Sequence, residues 1–163
     1  MIQTIYGNIL DQTKGIIVHG VNCQSIMGAG IALSVKDKYP QAYNDYYLKC
    51  NRTVDKHSLL GEIVTTQINN DLYIVNAFTQ VNYGRYHYWG DQNYEAIQSV
   101  FTKINPLAFE TNLPVMFPMI GSGLGGGDWN IIQNIIELSL SNNIEKKLFV
   151  LYDKSQQQHC QNC

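Results

Sequence analysis

Residues 15–32 read Gly-Ile-Ile-Val-His-Gly-Val-Asn-Cys-Gln-Ser-Ile-Met-Gly-Ala-Gly-Ile-Ala, and this stretch decides the fold. Its first seven residues, 15–21, form a nearly continuous apolar run, as expected of a strand covered on both faces. The segment that follows carries Gly28 and Gly30 and leads into a helical pattern. A glycine turn between a buried strand and a helix lets a ligand approach the backbone closely. The helix start adds unpaired N–H groups at the positive end of its dipole. That arrangement suits a diphosphate. It is equally a tight strand-to-helix turn with no ligand, and these residues alone leave both readings open.

A second segment, Gly121-Ser122-Gly123-Leu124-Gly125-Gly126-Gly127, holds five of the chain's 13 glycines. Each glycine raises the entropy lost on folding, so a structural loop seldom carries so many, whereas a run of unhindered N–H groups around an anion needs them. It is neither a Walker A loop, since no Gly-Lys-Ser/Thr follows, nor a GxGxxG start near the N-terminus. It lies between an apolar run at 115–120 and a helical pattern at 128–140, with Asp128 placed to cap that helix. Further strands are expected at 2–6 and 147–152, and a hairpin at 61–68 and 72–78 around Asn69-Asn70-Asp71. Helices are expected at 31–38 and 41–49, interrupted at Tyr39-Pro40, and at 91–101 with Asp91 as cap. This order predicts a three-layer α/β/α sandwich with a mixed central sheet, one domain over residues 1–153 and a polar tail over 154–163. Ligands of such folds sit beyond the carboxyl ends of the strands, where both glycine segments fall.

The composition constrains how a ligand is held. With 163 residues and 45% hydrophobic content the chain buries a core without staples, and a disordered chain is excluded. Lys and Arg together number 11 against 13 Asp and Glu, for a net charge of -2, and only Arg52 and Arg85 are arginines. The 16 Asn and 13 Gln, 29 amides in all, outnumber the 24 charged residues. A basic stripe for nucleic acid is therefore not expected, nor is an anion site made of several arginines. Any phosphate must be held mainly by something other than charge. No apolar run approaches the roughly 18 residues of a membrane span, and no signal peptide is evident, so a cytoplasmic protein without membrane contact is expected. Of the four cysteines, Cys160-Gln-Asn-Cys163 beside His159 has no second CxxC to complete a zinc site, so neither metal nor cofactor is expected.

The two glycine segments, in this order on this strand pattern, resemble the macrodomain, a fold that binds ADP-ribose. The likeness runs from Tyr6-Gly7-Asn8-Ile9 to Leu151-Tyr152. Its specific parts are Asn22-Cys23-x-x-x-Met27-Gly28-x-Gly30-Ile31-Ala32 and Pro118-Met-Ile-Gly-Ser-Gly-Leu-Gly-Gly-Gly-Asp-Trp129. These are similar to the branch that contains ADP-ribose 1''-phosphate phosphatases, terminal ADP-ribose glycohydrolases and DNA ADP-ribosyl glycohydrolase antitoxins. The resemblance implies that Asn8 and Ile9 flank the adenine, with Asn standing where many members have Asp. It puts Met27, Gly28, Ala29, Gly30 and Ile31 on one side of the diphosphate, and Gly121, Ser122, Gly123, Leu124 and Gly125 on the other. Asn22 would reach the distal ribose. Tyr152 would lie against the adenine, or serve as a tyrosine at the core edge.

For the chemistry, the resemblance assigns His19 to removal of the 1''-phosphate, as general acid or nucleophile; a histidine in an apolar strand is otherwise a core residue. Glycohydrolase members use a lysine in the loop after the hairpin, and here Thr79 or Gln80 stands in its place. An amide or hydroxyl cannot replace an amine that attacks a sugar carbon. Asp128, near the glycohydrolase carboxylate in sequence, is expected mainly as a helix cap, with a water-orienting role compatible. The aromatic cluster of Tyr83, Arg85, Tyr86, His87, Tyr88 and Trp89 packs on the sheet edge or closes over a ribose phosphate. Three functions compete: an ADP-ribose 1''-phosphate phosphatase, a hydrolase removing ADP-ribose from protein or nucleic acid, and a non-catalytic ADP-ribose binder. ADP-ribose or its 1''-phosphate is the expected small-molecule partner, nucleic acid enters only as an ADP-ribosylated substrate, and the chain is expected to be a monomer.

Overall fold

The computed structural model describes residues 1–84, 89–123 and 126–151. Among them the strands are β1 (Ile2–Tyr6), β2 (Gly15–Asn22), β3 (Ile63–Asn69), β4 (Leu72–Gln80), β5 (Val115–Phe117) and β6 (Lys146–Val150). The helices are α1 (Gly30–Lys38), α2 (Pro40–Arg52), α3 (Asp91–Thr111) and α4 (Trp129–Ser139). The six strands form one sheet in the order β1-β6-β5-β2-β4-β3. All neighbours are parallel except the β3–β4 hairpin.

The apolar run read in β2 has a direct cause. β2 lies inside the sheet between β5 and β4, with Ile16 opposite Val115 and Ile17 opposite Ile74, and both of its faces are covered. Ile16 and Val18 pack with Ile97 and Phe101 of α3 and Ile132 and Ile136 of α4. Ile17 packs with Val35 of α1 and Ala42 of α2, and Val21 with Tyr46 of α2. Full burial of each such side chain contributes roughly 1.5–3 kcal/mol. The expected three-layer α/β/α sandwich with a mixed sheet is the fold observed.

Local boundaries differ from expectation for identifiable reasons. β5 stops at Phe117 rather than 120, because Pro118 has no N–H to extend the ladder, and the Ile120 N–H turns back to Pro118 O at 2.7 Å. α3 continues ten residues past its expected end, through Pro106 to Thr111. The proline cannot supply the N–H that Thr102 O would accept, and Asn105 Nδ2 donates to that carbonyl instead, at 3.2 Å. Asn105 also bonds Ser139 O at 2.8 Å and the Ser141 N–H at 3.0 Å, tying α3 to the end of α4. The N-cap of α3 is Gly90, not Asp91, and Asn93 Oδ1 accepts the Gly90 N–H at 2.9 Å. Among the described residues no helix is long and apolar enough to cross a membrane.

Candidate ligand-binding cleft

A cleft of about 600 Å³ opens beyond the carboxyl ends of β2, β4 and β5. Gly20, Asn22, Thr79 and Ile120 line its interior, Gly28 to Ala32 one wall, and Gly121 and Gly123 the opposite wall. Ile26, Met119 and Tyr83, all exposed, stand at its apolar mouth.

The first loop is built around Asn22. Its Oδ1 accepts from the Gln24 N–H at 2.9 Å and the Ile26 N–H at 3.4 Å, and its Nδ2 donates to Ile26 O at 2.8 Å. The hydroxyl of fully buried Tyr46 lies 2.9 Å from Asn22 O and 3.0 Å from its Oδ1. Burial raises the Tyr46 phenol well above the usual range, so it stays a neutral donor. Cys23 below the loop is buried, its thiol pushed up to about 12, first by burial; it stays protonated and donates to Gln80 O at 3.4 Å. Met27 is 3% exposed and packs with Val21, Tyr46 and Phe78. It anchors the loop from beneath and is not among the residues that line the cleft.

The loop leads into a helix start that no side chain caps. Ala29 is the N-cap of α1 without a side-chain bond, and the first helical bond comes from the Leu33 N–H to Ala29 O at 3.3 Å. The N–H groups of Gly30, Ile31 and Ala32 therefore lack helical partners, and all three residues line the cleft. α4 differs: Asp128 Oδ1 caps it, accepting the Asn130 N–H at 2.8 Å.

The glycines divide into two groups. A Cβ on Gly121, whose φ is +74°, would run into Trp89 Cη2, with Cζ2 at 2.7 Å. A Cβ on Gly127 would stand 2.8 Å from Trp89 Cε2. Trp89 thus fills the space that side chains at 121 and 127 would need, while the Gly127 N–H closes the loop on Gly121 O at 2.8 Å. Tyr94 meets Trp89 edge-on at 5.9 Å, and its hydroxyl accepts the Asp128 N–H at 3.1 Å. Part of the glycine richness read as anion binding is therefore a packing requirement of one indole. Gly28 and Gly123 are of the other kind. Among the described residues, a Cβ on Gly28 would find only Ile26 Cγ2, at 3.8 Å, and one on Gly123 nothing within 4 Å, and neither residue is left-handed. Both face the cleft, so a side chain there would occupy ligand space.

His19 belongs to the core. Strand alternation puts it on the face of Ile17 and Val21, toward α2, and it is 0% exposed. Its Nε2 lies 2.7 Å from Asn76 Oδ1, and Asn76 Nδ2 donates to Ala42 O at 3.0 Å. Burial pushes its pKa down to about 4 against the opposing bond to Asn76, so the ring is neutral near pH 7. Nε2–H then donates to Asn76, and Nδ1 finds no partner among the described residues. The ring is buried as a core histidine, the alternative reading of the sequence, and is not among the residues that line the cleft. Asp128 is exposed, acts as the cap, and is not part of the lining.

The remaining expected contacts are spread out. Asn8 Oδ1 caps a short turn by accepting the Leu10 N–H at 3.0 Å, and Ile9 is in the core with Ile17 and Val35; neither lines the cleft. Ser122 Oγ donates to Met119 O at 3.0 Å and is also not in the lining. Thr79 and Gln80 do line it, and Gln80 Nε2 donates to Asn82 O at 2.8 Å. Leu124, Gly125, Tyr152, the tail and residues 85–88 of the aromatic cluster lie outside the described residues. Sequence reasoning missed Gly20, Ile26, Ala32 and residues 118–120 as lining. Gly20 carried a signal, since a glycine inside an apolar strand marks close approach: a Cβ there would stand 2.7 Å from Thr79 Oγ1 and 3.2 Å from Ile120 Cγ2. Among the described lining residues Tyr83 is the only titratable one, and no Lys or Arg is present. Among the described residues, no cluster of His, Cys, Asp and Glu is placed to hold a metal.

The fold is a three-layer α/β/α domain with a glycine-walled cleft at its strand ends, and among the described lining residues it offers helix-start amides and no Lys or Arg. The chain belongs to the macro domain family, whose model matches residues 18–136. It is 27% identical over 128 residues to a DNA ADP-ribosyl glycohydrolase of Mycobacterium tuberculosis, covering 78% of this chain but only 35% of that protein. A shorter stretch of 52 residues is 40% identical to an ADP-ribose 1''-phosphate phosphatase of Aspergillus oryzae, covering 31% of this chain and 26% of that protein. Among solved structures, the macrodomain of Mycobacterium tuberculosis DarG superposes with a TM-score of 0.72 at 23% identity, covering 91% of this chain and 98% of that one, a likeness of fold.

Proposed function

We propose that the cleft binds the ADP-ribose unit of its ligand, with the diphosphate between the free N–H groups of Gly30, Ile31 and Ala32 and the Gly121–Gly123 wall. The observation that carries this reading is the pair Gly28 and Gly123: glycines on opposite walls that neither backbone conformation nor packing against the described residues explains. Backbone amides at a helix start stabilise a diphosphate without side-chain cations, in keeping with a lining that has none among the described residues. One relative is named for ADP-ribose 1''-phosphate and the other for an ADP-ribosyl group, which supports an ADP-ribose ligand here.

A second reading adds hydrolysis, with ADP-ribose 1''-phosphate as substrate, and the local 40% identity to a phosphatase favours it. In that reading neutral groups, the Asn22 and Gln80 amides and the Thr79 hydroxyl, would orient the attacking water, and His19 would act at most by holding Asn76. Calorimetric titration with ADP-ribose tests the binding. Gly28→Val is expected to weaken it at least about tenfold, because the isopropyl group fills the diphosphate space. Equal affinity for the variant and the native protein would refute the site. Phosphate release from ADP-ribose 1''-phosphate, run beside ADP-ribose release from modified DNA and protein, separates phosphatase, glycohydrolase and pure binder.

A further inference from the structure

β3 forms one edge of the sheet, with β4 as its neighbour. The Phe78 N–H donates to Glu62 O at 3.0 Å, which makes these two a hydrogen-bonded pair. From there the register runs unbroken, from Ile63 opposite Ala77 to Gln67 opposite Tyr73. Hydrogen-bonded and non-hydrogen-bonded pairs alternate in an antiparallel ladder. Val64 and Thr66 therefore turn their backbone groups to β4, and Ile63, Thr65 and Gln67 turn theirs outward. Among the described residues no hydrogen bond reaches those outward N–H and C=O groups. Sheet edges are ordinarily guarded by lysine, proline or a bulge within the strand. Ile63–Asn69 contains no Pro and no charged residue, and its register shift falls at the hairpin end, between Gln67 and Asn69. Five of its seven residues are β-branched, which holds the strand extended before anything joins it. Thr65 and Gln67 are exposed, and no residue of β3 lines the cleft.

We propose that the β3 edge is the interface of a symmetric dimer, in which β3 of a second copy adds antiparallel and joins the two sheets into one. The segment is its own complement. With the two-fold axis at Thr65, Ile63 of one copy meets Gln67 of the other and Thr65 meets Thr65. The outward groups of all three residues then find partners, in about six N–H···O bonds. Val64 stands opposite Thr66, and no charges of the two strands are brought together. A foreign strand would need its own unpaired groups in the same register, whereas a second copy has them by symmetry. The dimer replaces the expected monomer and does not depend on what the cleft binds. Sedimentation equilibrium from about 1 µM to about 1 mM, the range of a small reversible interface, tests it. The native mass is expected to rise with concentration to twice that of the chain. Thr65→Pro removes an outward N–H without touching the β4 ladder, and Thr65→Lys sets two cations opposite each other across the axis. Both variants are expected to stay monomeric with native circular dichroism. Amide exchange at Ile63, Thr65 and Gln67 in the native protein is expected to slow as concentration rises. A native chain that stays monomeric or grows past a dimer, a folded variant that dimerises as the native chain does, or protection at those amides that ignores concentration would overturn the proposal.

Discussion

Acidification from pH 6.5 to pH 4 is expected to remove about 3 kcal/mol of folding stability through His19 alone. Its pKa is about 4 in the folded protein, where burial disfavours the cation, against 6.5 as the ordinary value in an unfolded chain. Between these values the unfolded state binds a proton that the folded state does not. Stability therefore rises with pH across the window, is fully present above 6.5, and is lost as pH falls toward 4. Each tenfold difference in proton affinity between the two states is worth about 1.4 kcal/mol, which gives the total. Urea midpoints measured from pH 7.5 to 4 check it. His19→Gln, whose amide can still donate to Asn76 Oδ1, should lose most of this slope relative to the native protein. Parallel profiles for the two proteins would show that the imidazole is not the acid-sensitive group.

Gly121→Ala is expected to destabilise the protein by about 2–4 kcal/mol. Roughly 1–2 kcal/mol comes from placing alanine at a left-handed φ of +74°. The remainder comes from pressing a methyl into the Trp89 ring, which is held in turn by Tyr94 and Gly127. A drop in Tm of about 5–15 °C in a thermal melt is the corresponding readout. By contrast Gly123→Ala, at a position open among the described residues, should leave stability unchanged within about 0.5 kcal/mol. The pair separates the packing glycine from the ligand-facing one.

The parts of the fold that sequence could reveal were those with local causes. β2 was legible because a strand inside the sheet, covered on both faces, must be apolar on both, and Asp128 was legible because a cap needs its oxygen one residue before the helix. α3 beyond Phe101 was not legible, because what carries the helix through Pro106 is a side chain, Asn105, bonded to Thr102 O and to residues some 34 positions away. The first loop was legible as a glycine turn between a buried strand and a helix, but the place of Met27 in the core beneath it was not, since nothing local says which loop residue faces down. His19 could have been placed by parity alone: it is two residues from both Ile17 and Val21 and shares their face. The second loop was over-read, because the demand of Trp89 for glycine at 121 and 127 is a tertiary contact across some 30 residues.

The central claim is that backbone amides at the start of α1 and in the second loop hold a diphosphate. Amide chemical shifts followed by NMR during titration with ADP-ribose test it most directly. Saturable changes are expected to concentrate at Gly28, Gly30, Ile31, Ala32, Gly121 and Gly123, with smaller ones at Thr79 and Asn22. Binding that leaves those amides unmoved while perturbing residues elsewhere, or no saturable change at all, would contradict it.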